Sequence, residues 1–151
     1  NYVRLLACAV GYTAISSSAL VELNLFISYG TGSAANITAI QVSSETGLTD
    51  KNVVIQKNTV LNPKYFNFSL GGYHNCIYVR DYINTVVKYN WVAGAGIYNI
   101  IMKCTTAMDN IECPVMYNVS YLNGLLAKGL GYVKFYNNIF PTPDSIIILL
   151  T

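Results

Sequence analysis

Short apolar runs punctuated by turn signals constrain the fold of this chain more than any other feature. In VELNLFISY (residues 21–29), Val21, Leu23, Leu25, Ile27 and Tyr29 alternate with Glu22, Asn24, Phe26 and Ser28. A period of two lays one apolar row along a single face of a strand. GTGSAA then supplies a turn, and NITAIQVSS returns as a second strand. The same rhythm continues through VVIQKNTV, YFNFSL, CIYVRDYI, TVVKYNWV, GIYNIIMKC, PVMYNVSYL, KFYNNIF and SIIILLT. Asn62-Pro63, Gly71-Gly72, Gly94-Ala95-Gly96 and PTPD mark breaks between them. Only NGLLAKGLG hints at a helix, and its glycines limit it to a turn. Strands spaced at about eight to twelve residues with turns between predict one all-β domain, a sandwich or barrel. No repeat, heptad or low-complexity tail stands out.

Hydrophobic residues make up 53% of the 151-residue chain and charged residues only 11%, against about a quarter in an average domain. With 13 Tyr and 16 Asn, the polar surface must be built mainly from neutral groups. The net charge of +2 comes from basic residues scattered along the sequence, so neither nucleic acid nor an anionic membrane is an expected partner. No apolar run approaches the roughly 20 residues of a spanning helix, and no membrane span is expected in the chain.

Chemistry-bearing residues are sparse. His74 is the only histidine, and the acids Glu22, Glu45, Asp50, Asp81, Asp109, Glu112 and Asp144 are dispersed. The P-loop, GxSxG, HExxH and EF-hand patterns are absent. The expectation is a non-enzyme with no metal and no cofactor. Cys8, Cys76, Cys104 and Cys113 fit no metal spacing. Their even number, with the lack of an initiator Met, reads as a processed, secreted and disulfide-bonded chain. Cys104 and Cys113 flank an eight-residue loop between IIMKC and CPVMY; a hairpin there would bring them within disulfide reach and leave Cys8 to Cys76. Two other connectivities stay open. Sequons at Asn36, Asn67 and Asn118 are candidate N-glycan sites on a surface poor in charge.

The opening NYVRLLACAV places Val3, Leu5, Ala7 and Ala9 on one face of an extended strand. Residues 1–20 are therefore expected to form an arm and linker, and residues 21–151 a β-sandwich. The arm either crosses to the opposite sheet of its own domain or fills a groove in a neighbouring copy.

The layout of an apolar N-terminal arm, a β domain of this length and a C-terminal strand resembles extracellular donor-strand filament subunits, as does the Ile-, Tyr- and Asn-rich, charge-poor composition. Those subunits are the type I-like pilins of bacteria and the thread pili of thermoacidophilic archaea. The resemblance implies an Ig-like sandwich and a cell-surface pilus that grows as a head-to-tail homopolymer serving adhesion. In it, Val3, Leu5, Ala7 and Ala9 act as the donor strand. VELNLFISYGTGSAANITAIQV also looks like the first hairpin of archaeal type IV pilin heads, though the long hydrophobic helix that precedes such heads is replaced here by residues that include Arg4, Gly11 and three serines. A non-assembling carbohydrate-binding or viral surface sandwich is the remaining alternative.

Overall fold

The computed structural model describes residues 2–5, 10–15, 17–28, 38–45, 47, 49–61, 75–93, 98–104, 112–121, 124–128, 132–141 and 147–150. Every regular element among them is a strand. The first turn of chain contributes β1 (Tyr2–Leu5), β2 (Val10–Ile15) and β3 (Ala19–Glu22); the second, β4 (Leu25–Ser28), β5 (Thr38–Ser43) and β6 (Thr49–Gln56). The third contributes β7 (Thr59–Leu61), β8 (Asn75–Arg80) and β9 (Tyr82–Lys88); the fourth, β10 (Trp91–Ala93), β11 (Tyr98–Lys103) and β12 (Glu112–Met116). β13 (Val119–Tyr121), β14 (Gly124–Lys128) and β15 (Tyr132–Tyr136) follow, and then β16 (Ile147–Leu150).

From β1 to β12 each strand pairs with the strand three places on, β14 pairs with β16, and every ladder is parallel. The first sheet runs β1-β4-β7-β10-β13, the second β2-β5-β8-β11-β14-β16, the third β3-β6-β9-β12-β15. The backbone thus winds round three walls and climbs one strand spacing, about 4.8 Å, per coil. This is a three-sided parallel β-solenoid.

The all-β expectation holds, but the hairpins of an Ig-like sandwich are not what forms. The runs at residues 21–29 and 36–44, expected to face each other across a turn, contribute β4 to the first wall and β5 to the second. The single apolar row expected along residues 21–29 does not form either: Leu23 is exposed at a left-handed corner and Phe26, expected on the opposite face, is buried. In most parallel sheets helices cover both faces, so alternation ordinarily signals antiparallel pairing. A solenoid escapes that rule because its walls cover one another on the inside and meet solvent outside.

The N-terminal stretch is likewise part of the chain's own walls. β1 lies parallel to β4, with Val3 opposite Phe26 and Leu5 opposite Ser28, and β2 lies parallel to β5. An arm already paired in this way is not a free donor strand, which corrects that assignment for Val3 and Leu5. Ala7 and Ala9 lie outside the described residues. The boundary expected after residue 20 falls within β3.

Inward rows from successive coils stack into apolar columns. Val21, Ile55, Val87 and Val115 line the third wall, Ile40, Ile77 and Ile100 the second, and Phe26, Val60 and Val92 the first. All of them are buried. β-Branched side chains suit this arrangement, because they are stiff at χ1 and pack well against like neighbours on a pleated surface.

Candidate functional site

The most regular construction in the molecule is the corner where the third wall passes to the first. Leu23, Lys57, Tyr89, Tyr117 and Asn137 occupy it in successive coils with φ of 56°, 54°, 56°, 55° and 53°. A left-handed residue turns the chain sharply, and for a residue with a Cβ it costs about 1–2 kcal/mol. An asparagine follows each one: Asn24, Asn58, Asn90, Asn118 and Asn138. These five asparagines form a continuous hydrogen-bonded ladder that repays the strain.

Its geometry repeats from rung to rung. The backbone N–H and Nδ2 of Asn24 both donate to Asn58 Oδ1, at 3.1 and 2.9 Å. Asn58 donates in the same way to Asn90 Oδ1, both at 3.0 Å, and Asn90 to Asn118 Oδ1 at 2.9 and 3.0 Å. Asn118 completes the series on Asn138 Oδ1, both at 3.0 Å. The second Nδ2 proton drops to the coil before. Asn58 donates to Val21 O, Asn90 to Ile55 O, Asn118 to Val87 O and Asn138 to Val115 O, at 2.8–3.0 Å. Asparagine alone offers one acceptor and two donors on a stem this short, so each rung is satisfied where water is excluded.

This arrangement corrects the glycan assignment at Asn118. Its side chain is buried, and the amide nitrogen that would carry the sugar is committed to Val87 and Asn138. Asn36 and Asn67 lie outside the described residues. The ladder also explains what a search for a fixed period misses. Its rungs are 34, 32, 28 and 20 residues apart, and the legible signal is a short one, an asparagine followed by an outward and then an inward strand residue in LNLF, KNTV, YNWV, YNVS and NNIF.

Over the ladder runs an aromatic ridge. Tyr89 and Tyr117 stack at 5.2 Å with an 11° interplanar angle, and Tyr136 meets Tyr117 edge-on at 6.1 Å. Lys88 Nζ lies 5.8 Å from the Tyr89 centroid. Trp91 and Ile139 are exposed beside them. Because Tyr89 and Tyr117 turn their faces toward each other, the pair offers edges and hydroxyls to solvent rather than open rings.

The corner between the second and third walls is built differently. Ser44 N–H donates to Arg80 O at 3.1 Å, and Asp81 N–H to Lys103 O at 2.9 Å. Asp81 is buried, and Arg80 Nε donates to its Oδ2 at 3.0 Å. The Tyr82 hydroxyl accepts from Ser17 N–H at 2.9 Å and donates to Ser17 O at 3.1 Å.

Cys104 and Cys113 are thiols and carry no disulfide, which corrects their expected pairing; the expected partner of Cys76, Cys8, lies outside the described residues. The reason is topological: the runs around Cys104 and Cys113 are neighbours in sequence but belong to the second and third walls rather than to one hairpin. Cys76 Sγ lies 3.5 Å from Asn99 Oδ1, and Cys113 Sγ lies 3.3 Å from Ile83 O. Burial, with Cys113 and then Asp81 adding to it, pushes the Cys104 thiol up from its ordinary 9.0 to about 11. Burial raises Cys113 as well, against a backbone hydrogen bond at Thr85. Raised thiols are poor nucleophiles at neutral pH.

Among the described residues no three His, Cys, Asp or Glu side chains converge to hold a metal ion, and no helix is long and apolar enough to cross a membrane. What the fold offers instead is repeated surface. Comparison with protein-family models, with curated proteins and with solved structures finds no match to this chain.

Proposed function

We propose that this chain is a structural module of an extracellular assembly, a stiff β-solenoid that joins further copies head to tail by stacking coil on coil. The observation that supports this reading is the uniformity of the coil. Each coil sits on the one before through parallel ladders and the same asparagine contacts, so the surface that receives a coil resembles the surface that the last coil presents. Among the described residues the sheets end on β2 and β16 in the second wall and on β3 and β15 in the third. Open strand edges pair readily unless charge or proline blocks them, and VGYTAI and IILL carry neither. Head-to-tail contacts between unlike faces do not close, and they give filaments. An assembled rod of neutral polar surface suits adhesion outside the cell.

Electron microscopy and light scattering of the 151-residue chain across a concentration series test this reading. Rods of uniform width that lengthen with concentration are expected. Ile15→Lys with Leu20→Lys, which place charge on exposed positions of β2 and β3, should give monomers with unchanged circular dichroism. A chain that stays monomeric at every concentration, or rods indifferent to those substitutions, would overturn it.

A further inference from the structure

Exposed tyrosines gather at one place on this molecule. Among the tyrosines whose side chains are described, Tyr89, Tyr117 and Tyr136 are exposed, Tyr82 is buried, and Tyr12, Tyr78 and Tyr121 lie between those extremes. All three exposed rings sit at or beside the corner between the third wall and the first. Backbone contacts hold them in register: Tyr89 N–H donates to Met116 O at 3.3 Å and Tyr117 N–H to Tyr136 O at 3.4 Å. Asn90 and Asn118, which follow Tyr89 and Tyr117, are fixed in the ladder. On this frame the rings of Tyr89 and Tyr117 lie nearly parallel, 11° apart in plane and 5.2 Å between centroids, within the range of stacked aromatic pairs. Tyr136 is placed differently. It meets Tyr117 edge-on at 6.1 Å, and its hydroxyl donates to Met116 Sδ at 2.7 Å.

We propose that Tyr89 and Tyr117 form a site of oxidative cross-linking, where a haem peroxidase acting with hydrogen peroxide joins the two rings as dityrosine. Each phenol gives up one electron and one proton to the oxidant. The two tyrosyl radicals then form a carbon–carbon bond between ring positions ortho to the hydroxyls. Each bonded carbon loses its hydrogen as a proton, and each phenolic oxygen regains one. Two tyrosines and one hydrogen peroxide thus give one dityrosine and two waters. Holding two reactants in place makes their coupling effectively unimolecular, so in dilute solution a link within the chain outruns links between chains. The bond would tie two coils together at the corner where the ladder already aligns them. The inference does not depend on head-to-tail assembly, since both rings belong to one chain.

Treating the dilute chain with a haem peroxidase and hydrogen peroxide, then reading dityrosine fluorescence and mapping linked peptides by mass spectrometry, tests it. A single-chain product that has lost two hydrogen atoms is expected, with the link between Tyr89 and Tyr117. Tyr89→Phe and Tyr117→Phe each keep the stacked ring but remove a phenol, and each should abolish that product. Tyr136→Phe should leave it in place. In denaturant, where the stack is gone, the preference for this pair should disappear. Circular dichroism confirms that each variant is folded. No dityrosine in the folded chain, links spread evenly over other tyrosines, or a within-chain product that survives Tyr117→Phe would overturn the proposal.

Discussion

Two corners of the solenoid solve the same geometric problem in different ways. Where the third wall meets the first, every coil uses a left-handed residue followed by asparagine, and the five side chains bond to one another. Where the second wall meets the third, the corresponding coils place Ser44 and Asp81, with Cys104 following β11, and positive φ falls at Asp81 and, in another coil, at Gly47. The first corner repeats because each asparagine needs an asparagine above and below it. The second is held by local contacts, Arg80 to Asp81 and Tyr82 to Ser17, so it can differ in each coil. Variation in coil length, from 34 residues between rungs down to 20, is therefore accommodated away from the ladder.

The sharpest way to break this contrast is to remove a middle rung. Asn90→Ala strands the N–H and Nδ2 of Asn58 and leaves Ile55 O without its Nδ2 donor, while the backbone N–H at position 90 still donates to Asn118 Oδ1. Buried groups left unpaired cost about 1–3 kcal/mol each, so a loss of about 3–5 kcal/mol is expected in denaturant unfolding. Asn90→Asp, which keeps an acceptor but removes the donors, should recover little of it.

High pH should attack the second corner. The raised thiols of Cys104 and Cys113 favour the protonated form in the fold. Their contribution is whole below the unfolded thiol value and is lost as pH climbs through the folded one. For Cys104, stability should fall between about pH 9 and about pH 11. Thermal melts of Cys104→Ala with Cys113→Ala should flatten that slope, while a ladder variant should retain it.

Satisfaction of polar groups separates the ladder from the third wall's interior. Thr85 is buried, and its Oγ1 has no hydrogen-bond partner among the described residues. Thr85→Val should raise stability by about 1–2 kcal/mol, visible as a higher denaturant midpoint. A smaller effect lies on the ridge: Tyr117→Ala removes a stacked and an edge-on ring contact, worth about 1 kcal/mol. Smallest is Leu23→Gly, which relieves left-handed strain at an exposed site. Because glycine also gains entropy in the unfolded chain, the net stabilisation should be about 0.5 kcal/mol. A loss on that substitution would mean that the Leu23 side chain contributes more than its backbone costs.

The sequence by itself determined that the chain is made of short strands, because a period of two is written into each run and survives any choice of partner. It did not determine which residues face inward, since adjacent residues are both buried at Ala39-Ile40 and at Cys76-Ile77. Partner and direction were decided only by the tertiary structure. A strand with one apolar row can pair in a hairpin or climb a solenoid, and local pattern is the same in both. The asparagines were visible as a composition, yet their meaning required the rungs to be superposed, since the loops between them differ in length. The cysteines show the converse. Cys104 and Cys113 are close in sequence and look paired across a hairpin, but the winding of the backbone assigns them to different walls and no hairpin joins them.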